Sequence, residues 1–212
     1  MPREESQHSF RDRKPLSFFE GWLLLMDERT ALAEMRRPTS VSLVAVPSVD
    51  QRYIVPFIPT SLDTAKRMLE LAEVGPQDVV YDLGCGDGRL LVLAAEFFEA
   101  KMAVGYEIRG DVYKTALKEI QARKLKDRVT IVNADLFDAD LSEATVIALY
   151  LSYGANKALE PKLRREGRPG TRIVSHDFEI PGWRSTRKEK LHGDTIYLYI
   201  IPESYENQTG SF

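Results

Sequence analysis

The chain has 212 residues, with 29 Lys and Arg against 32 Asp and Glu, a formal charge of −3 and a pI near 5.7. That length allows one well-buried α/β core plus an appendage and excludes two full domains. With 43% apolar and 29% charged residues a disordered chain is excluded, and the negative balance excludes a general field drawing in nucleic acid.

Taken in chain order, residues 1–15 are polar and charged, the pattern of a frayed terminus. The apolar run Phe18 to Met26 is broken by Glu20 and followed by Asp27, Glu28 and Arg29 with no small-residue cleavage site. It is too short for a membrane span and wrongly flanked for a signal peptide. An amphipathic helix through about Met35 is the expectation, packed on its own domain, with a membrane or partner surface as the alternative. Val41 to Val49 reads as extended. In Tyr53-Ile54-Val55-Pro56-Phe57-Ile58-Pro59-Thr60-Ser61 the two prolines force an extended path. Thr60 or Ser61 then caps a helix carrying Leu62, Ala65, Met68, Leu69 and Ala72 at helical spacing, and Gly75-Pro76 turns the chain.

The stretch Val79-Val80-Tyr81-Asp82-Leu83-Gly84-Cys85-Gly86-Asp87-Gly88-Arg89 is the centre of the chain. Its start predicts a buried strand, its three alternating glycines a tight turn, and Leu90 to Phe98 a helix packed on a sheet. A dinucleotide fingerprint, G-x-G-x-x-G, needs its third glycine at position 89, where this chain has Arg89. Met102 to Glu107 is the next strand, and Glu107 falls about 20 positions after the glycine loop, where a ribose ligand is expected. A helix over Asp111 to Arg123 leads to a strand at Val129 to Asn133. Thr145 to Leu151 is a fourth strand, Ala155 to Arg165 a helix interrupted at Pro161, and Thr171 to Asp177 a fifth strand. A loop with Arg184, Arg187, Lys188 and Lys190 precedes a final strand, Thr195 to Ile201. Alternating strands and helices predict a parallel sheet, with the last strand, reached through a loop alone, pairing antiparallel.

Cys85, the single cysteine, allows no intrachain disulfide, so a reducing, cytoplasmic setting is expected. Inside the loop it reads as a small packing residue, not a nucleophile. His8, His176 and His192 are scattered, no cluster has metal-ligand spacing, and no metal is expected.

The G-x-G-x-G pattern with Asp82 two residues upstream resembles motif I of the class I S-adenosylmethionine-dependent methyltransferases. The resemblance implies their Rossmann-like doubly wound seven-stranded sheet, mostly parallel with the last strand antiparallel. S-adenosyl-L-methionine lacks a pyrophosphate, so side-chain carboxylates suit its ammonium and ribose hydroxyls better than a helix dipole does, and Asp82 and Glu107 take those roles. Asp135 and Leu136 match the segment that meets the adenine. The implied cofactor contacts are Phe57, Thr60, Asp82, Gly84, Cys85, Gly86, Asp87, Gly88, Glu107, Ile108, Asn133, Asp135, Leu136 and Leu149. Methyltransferases acting on adenine or glutamine amino groups carry Asn or Asp, then Pro-Pro and an aromatic, after the fourth strand. Leu149-Tyr150-Leu151-Ser152-Tyr153 departs from that pattern.

Pro56 to Thr60, Leu149-Tyr150-Leu151, Pro169 to Phe178 and Ile180-Pro181-Gly182-Trp183 narrow the resemblance to the small archaeal broad-specificity protein-lysine methyltransferases and their mitochondrial relatives, over residues 53–201. That implies protein substrates presenting lysine, the chain's own lysines among them. Tyr53, Phe57, Tyr150 and Trp183 are candidate walls of an acceptor channel, with Tyr150, Tyr53 and Trp183 nearest the chemistry. The His176-Asp177 pair either orients a lid or accepts a proton, or is simply a buried strand end. The expected organisation is an extension at 1–50, a methyltransferase domain at 51–203 and a tail at 204–212. A small-molecule methyltransferase and a non-catalytic cofactor-binding module are the alternatives.

Overall fold

The computed structural model describes residues 58–206. The expected N-terminal helix, the extended run Val41 to Val49, and Tyr53 and Phe57 lie outside the described residues.

Helix α1 (Leu62–Leu71) opens at Ser61, whose hydroxyl accepts the Thr64 N–H at 3.0 Å, so Ser61 is the cap. Strand β1 (Val79–Leu83), helix α2 (Arg89–Glu96), β2 (Met102–Tyr106), α3 (Gly110–Ala122) and β3 (Val129–Val132) follow. After a short 3₁₀ turn at Leu136–Asp138 come β4 (Val146–Leu149), α4 (Tyr153–Glu166), β5 (Arg172–His176), β6 (Arg187–Leu191), β7 (Asp194–Ile200) and α5 (Glu203–Glu206).

The strands form one sheet in the order β3-β2-β1-β4-β5-β7-β6. β1 pairs parallel with both β2 and β4, and β5 pairs parallel with β4. β7 is antiparallel to both neighbours, so it alone runs against the others. The seven-stranded, mostly parallel sheet expected from the sequence is present. Alternation along each strand feeds two apolar layers. Val80, Val146, Ala148 and Val174 meet α1, α2 and α3 on one face, while Tyr81, Leu83, Ile147, Leu149 and Ile173 meet α4 on the other. The chain builds outward from β1 to β3 and then crosses to β4 on the other side of β1. That reversal opens a crevice at the carboxyl ends of β1 and β4, where ligands of such sheets sit.

Three expectations are corrected. The loop carrying Arg187, Lys188 and Lys190 contains strand β6. RKEKL has no apolar alternation because it is an edge strand, and its charges guard the open edge. Helix α4 runs unbroken through Pro161. The proline removes one hydrogen bond, but Leu159 and Leu163, both fully buried, and the Glu160–Arg164 and Lys162–Glu166 pairs hold the turns on either side. The fold also continues past residue 203. Ser204 accepts the Ile200 N–H at 2.9 Å and Tyr205 packs on Trp183.

Candidate active site

The turn after β1 is held in shape from below. The Tyr106 carbonyl accepts both the Gly84 and Cys85 N–H groups, at 2.9 and 3.0 Å. Gly84, Gly86 and Gly88 have φ of 88°, 57° and 80°, a left-handed run that side chains with a Cβ resist. Gly88 is the N-cap of α2, and the first N–H of that helix, from Arg89, goes to Asp87 Oδ1 at 3.3 Å. Glu107 clamps the loop across the crevice. One oxygen accepts the Gly86 N–H at 3.1 Å, and the other accepts the Arg109 N–H at 2.7 Å. Arg89, which occupies the position of the missing third glycine, forks onto Asp87 and donates to the Thr60 carbonyl at 2.8 Å. The glycine loop is thereby tied to the Pro59-Thr60 segment, a link that sequence reasoning missed because the two lie 29 residues apart.

Asp82 is only 7% exposed, and among the described residues no donor reaches its carboxylate. Burial, reinforced by the negative charges of Asp87 and Glu107, pushes its pKa up to about 7. Burial likewise raises Glu107, opposed by its two backbone hydrogen bonds. A buried acid with no donor is costly in isolation and suited to a cationic ligand. Cys85 is buried, and burial followed by the Asp82 and Glu107 charges pushes its thiol well above the ordinary value. It should therefore resist iodoacetamide at pH 8 in the folded chain and react fully in denaturant; rapid labelling of the native protein would return it to the list of reactive groups.

Asn133 donates to the Glu107 and Ile108 carbonyls at 2.7 and 3.2 Å, which shapes the segment after β2. Asp135 accepts the Phe137 N–H at 3.0 Å with one oxygen as the cap of the 3₁₀ turn, and Leu136 beside it is partly exposed. Ile108, Asn133, Asp135 and Leu136 stand just past the ends of β2 and β3 on the Glu107 side of the crevice. Leu149 does not present a side chain there. It ends β4 with its side chain fully buried, so only its backbone can face a ligand.

On the other side of the crevice Tyr150, partly exposed, stacks on the ring of His176, with centroids 3.9 Å apart and planes at 27°. His176 ends β5 and lies beside the Thr60 hydroxyl at 3.3 Å from Nδ1. Its Nε2 faces Asp194 at 3.2 Å and Asp177 at 3.5 Å. Burial lowers the His176 pKa and outweighs the two carboxylates; burial, with the same carboxylates, raises that of Tyr150. Asp194 enters because β7 runs antiparallel to β5 and starts at the carboxyl edge. That placement was invisible in the sequence. Trp183, expected on the acceptor wall, is a core residue instead. Its indole N–H donates to Glu160 at 2.7 Å, and its ring packs edge-on to Tyr199 and against Tyr205. A large aromatic whose N–H finds a polar partner settles in the core.

Comparison with known proteins points the same way. A family model described as the ANTKMT methyltransferase domain matches residues 82–187. The chain is 45% identical to a protein-lysine N-methyltransferase of Saccharolobus islandicus (strain REY15A) over 153 residues, covering 70% of this chain and 95% of that protein. It is 29% identical over 153 residues to the mouse adenine nucleotide translocase lysine N-methyltransferase, of which it spans 66%. Among solved structures, an RNA methyltransferase from Salinibacter ruber in complex with S-adenosyl-L-homocysteine is 46% identical, with a TM-score of 0.67, covering 69% of this chain and 95% of that one.

Proposed function

The chain belongs to the ANTKMT methyltransferase domain family of class I S-adenosylmethionine-dependent methyltransferases, and from that membership we propose that it methylates the ε-amine of lysine residues in proteins. The cofactor is S-adenosyl-L-methionine, which brings an already activated methyl group. The residues at the crevice fit it. The glycine turn leaves no space for a side chain at Gly84, where a Cβ would stand 3.2 Å from Leu151 Cδ2. Asp82 is a buried carboxylate to which no described donor is assigned, and the Glu107 oxygens, each already taking one N–H, keep lone pairs for hydroxyl groups. In this reading Asp82 holds the cofactor's cationic end, Glu107 its ribose, and Asp135 with Leu136 its adenine.

The remaining work is positioning. The acceptor amine must lose its proton and approach in line, and a half-buried aromatic wall favours both by desolvating the ammonium and holding the methylene stem. Tyr150 is that wall, with its phenol kept neutral by burial and by Asp177 and Asp194. Tyr53 and Phe57 remain proposed companions from outside the described residues.

The observation that carries lysine over other acceptors is the segment Leu149-Tyr150-Leu151-Ser152-Tyr153, which lacks the Asn or Asp, Pro-Pro and aromatic of enzymes that methylate base amino groups, in a chain 45% identical to a protein-lysine N-methyltransferase. A second reading, RNA as the acceptor, is favoured by the name of the Salinibacter protein. Incubating the chain with methyl-labelled cofactor, mixed protein and total RNA separates them. Methyllysine after acid hydrolysis is expected, and mass spectrometry of the chain itself should show methylation of its own exposed lysines. Label confined to RNA or to small metabolites would overturn the proposal. Among the described residues no helix is long and apolar enough to cross a membrane, and the lone buried cysteine supports a reducing, cytoplasmic setting.

A further inference from the structure

We propose that His176, Asp177 and Asp194 form a binding site for one divalent transition-metal ion of the zinc type, on the far side of the Tyr150 ring. His176 is 2% exposed, yet its Nε2 makes no hydrogen bond. The Asp194 and Asp177 oxygens stand 3.2 and 3.5 Å away, near enough to attract a charge but off the direction in which an N–H would point. A buried ring nitrogen left so between two carboxylates is an unmade interaction of the kind folded chains rarely tolerate.

Coordination geometry explains both the spacing and the misalignment. Ligand atoms about 2.1 Å from a shared ion and at right angles to each other are about 3.0 Å apart, and in tetrahedral arrangement about 3.4 Å. Seen from a ring nitrogen, an oxygen placed at right angles lies about 45° off the nitrogen's axis, where a hydrogen bond fails but shared coordination succeeds. One oxygen or nitrogen from each of the three residues lies within 4.8 Å of the others. One imidazole with two carboxylates is a donor set for zinc, manganese or ferrous iron, and the partial exposure of both aspartates leaves positions for water.

The surrounding groups hold these atoms as an outer shell does. The Thr60 hydroxyl engages Nδ1 and so leaves Nε2 to face the carboxylates. The Thr195 N–H takes the other Asp177 oxygen at 2.8 Å, turning Oδ2 toward the ring. The Thr64 hydroxyl donates to Asp194 Oδ2 at 2.8 Å. The sequence conceals the site because Asp194 is 18 positions from His176 and joins it only through the β5–β7 pairing. An ion there would link β5, β7 and the Thr60 segment beneath the acceptor mouth.

The test strips the full chain with chelator and titrates it calorimetrically with zinc and with manganese, with melting followed in parallel. One equivalent of ion should bind and raise the melting temperature. Asp194→Asn, which keeps an acceptor for Thr64, and His176→Gln should each weaken binding about a hundredfold or more, while His192→Ala leaves it intact. Absence of binding to the stripped chain, or binding that survives both substitutions, overturns the site. Neither outcome depends on methyl transfer.

Discussion

Asp82→Asn is expected to weaken S-adenosylmethionine binding about ten- to a hundredfold, while raising the melting temperature of the ligand-free chain at pH 8. Both effects follow from the same burial. Folding lifts the Asp82 pKa from an ordinary 3.8 to about 7. A carboxyl whose folded pKa is raised favours the fold most below pH 4, and that contribution is lost as pH climbs to 7, where the fold must carry a buried anion. The span of about three units caps the loss at on the order of 4 kcal/mol. Asparagine never ionises, so its advantage over the wild type should grow between pH 4 and 7 and level off above. The cofactor reverses the preference. Its cationic end needs the ionised acid, and a hydrogen-bonded charge of this kind contributes about 1.5 to 3 kcal/mol. Wild-type affinity should fall as pH drops below 7, with proton uptake by Asp82 competing with binding, and the variant's affinity should stay comparatively flat. Calorimetry at pH 6 and 8 and melting curves from pH 5 to 8 check both limbs. Equal affinities, or parallel melting profiles, would remove Asp82 from the cofactor site.

That trade explains why the glycine loop was the most legible part of the chain. Positions that serve a ligand break the ordinary rules of burial and conformation, and the breaks are visible as residue types: three alternating glycines, a buried acid, a second acid at the end of the next strand. Strands β1 and β4 were equally legible because they sit inside the sheet, are buried on both faces and read as apolar runs. Strand β6 was not, since it lies at the solvent-facing edge of the sheet, where charged side chains discourage pairing with another chain and leave no apolar pattern to read. Tertiary packing also overrode the local break at Pro161. The acceptor side was the least legible. Trp183 and Tyr150 are both aromatics in the segments that follow strands of the sheet, and only burial separates the core residue from the wall. The Thr60, His176 and Asp194 grouping depends on an antiparallel register and a docked segment, neither of which leaves a local mark.

Gly105→Ala is the second large expected effect, and it reaches the cofactor without touching it. Gly105 lies in β2 directly beneath the glycine turn, and its φ is not left-handed, so alanine meets no backbone penalty there. The obstacle is steric. A Cβ would fall 2.5 Å from Leu91 Cδ1, 2.6 Å from Cys85 Sγ and 2.8 Å from Cys85 Cβ. Leu91 is fully buried on α2, and Cys85 is fixed by its N–H bond to Tyr106, so neither can swing away. The turn must lift from the sheet, straining the two Tyr106 hydrogen bonds and the Gly86–Glu107 contact together. Overpacking of this severity costs about 3 kcal/mol, a melting shift of roughly 6 to 12 °C for a domain of this size. Because the displaced groups form the cofactor cradle, affinity should fall with stability. Gly75→Ala, where nothing stands within 4 Å, is the control and should melt near the wild type. Pairing Gly105→Ala with Leu91→Ala should cost less than the two singly, by more than about 0.5 kcal/mol, since the second substitution opens the space the first needs. Strict additivity, or a Gly105→Ala variant melting within about 2 °C of the wild type, would show that the turn does not rest on β2 in this way.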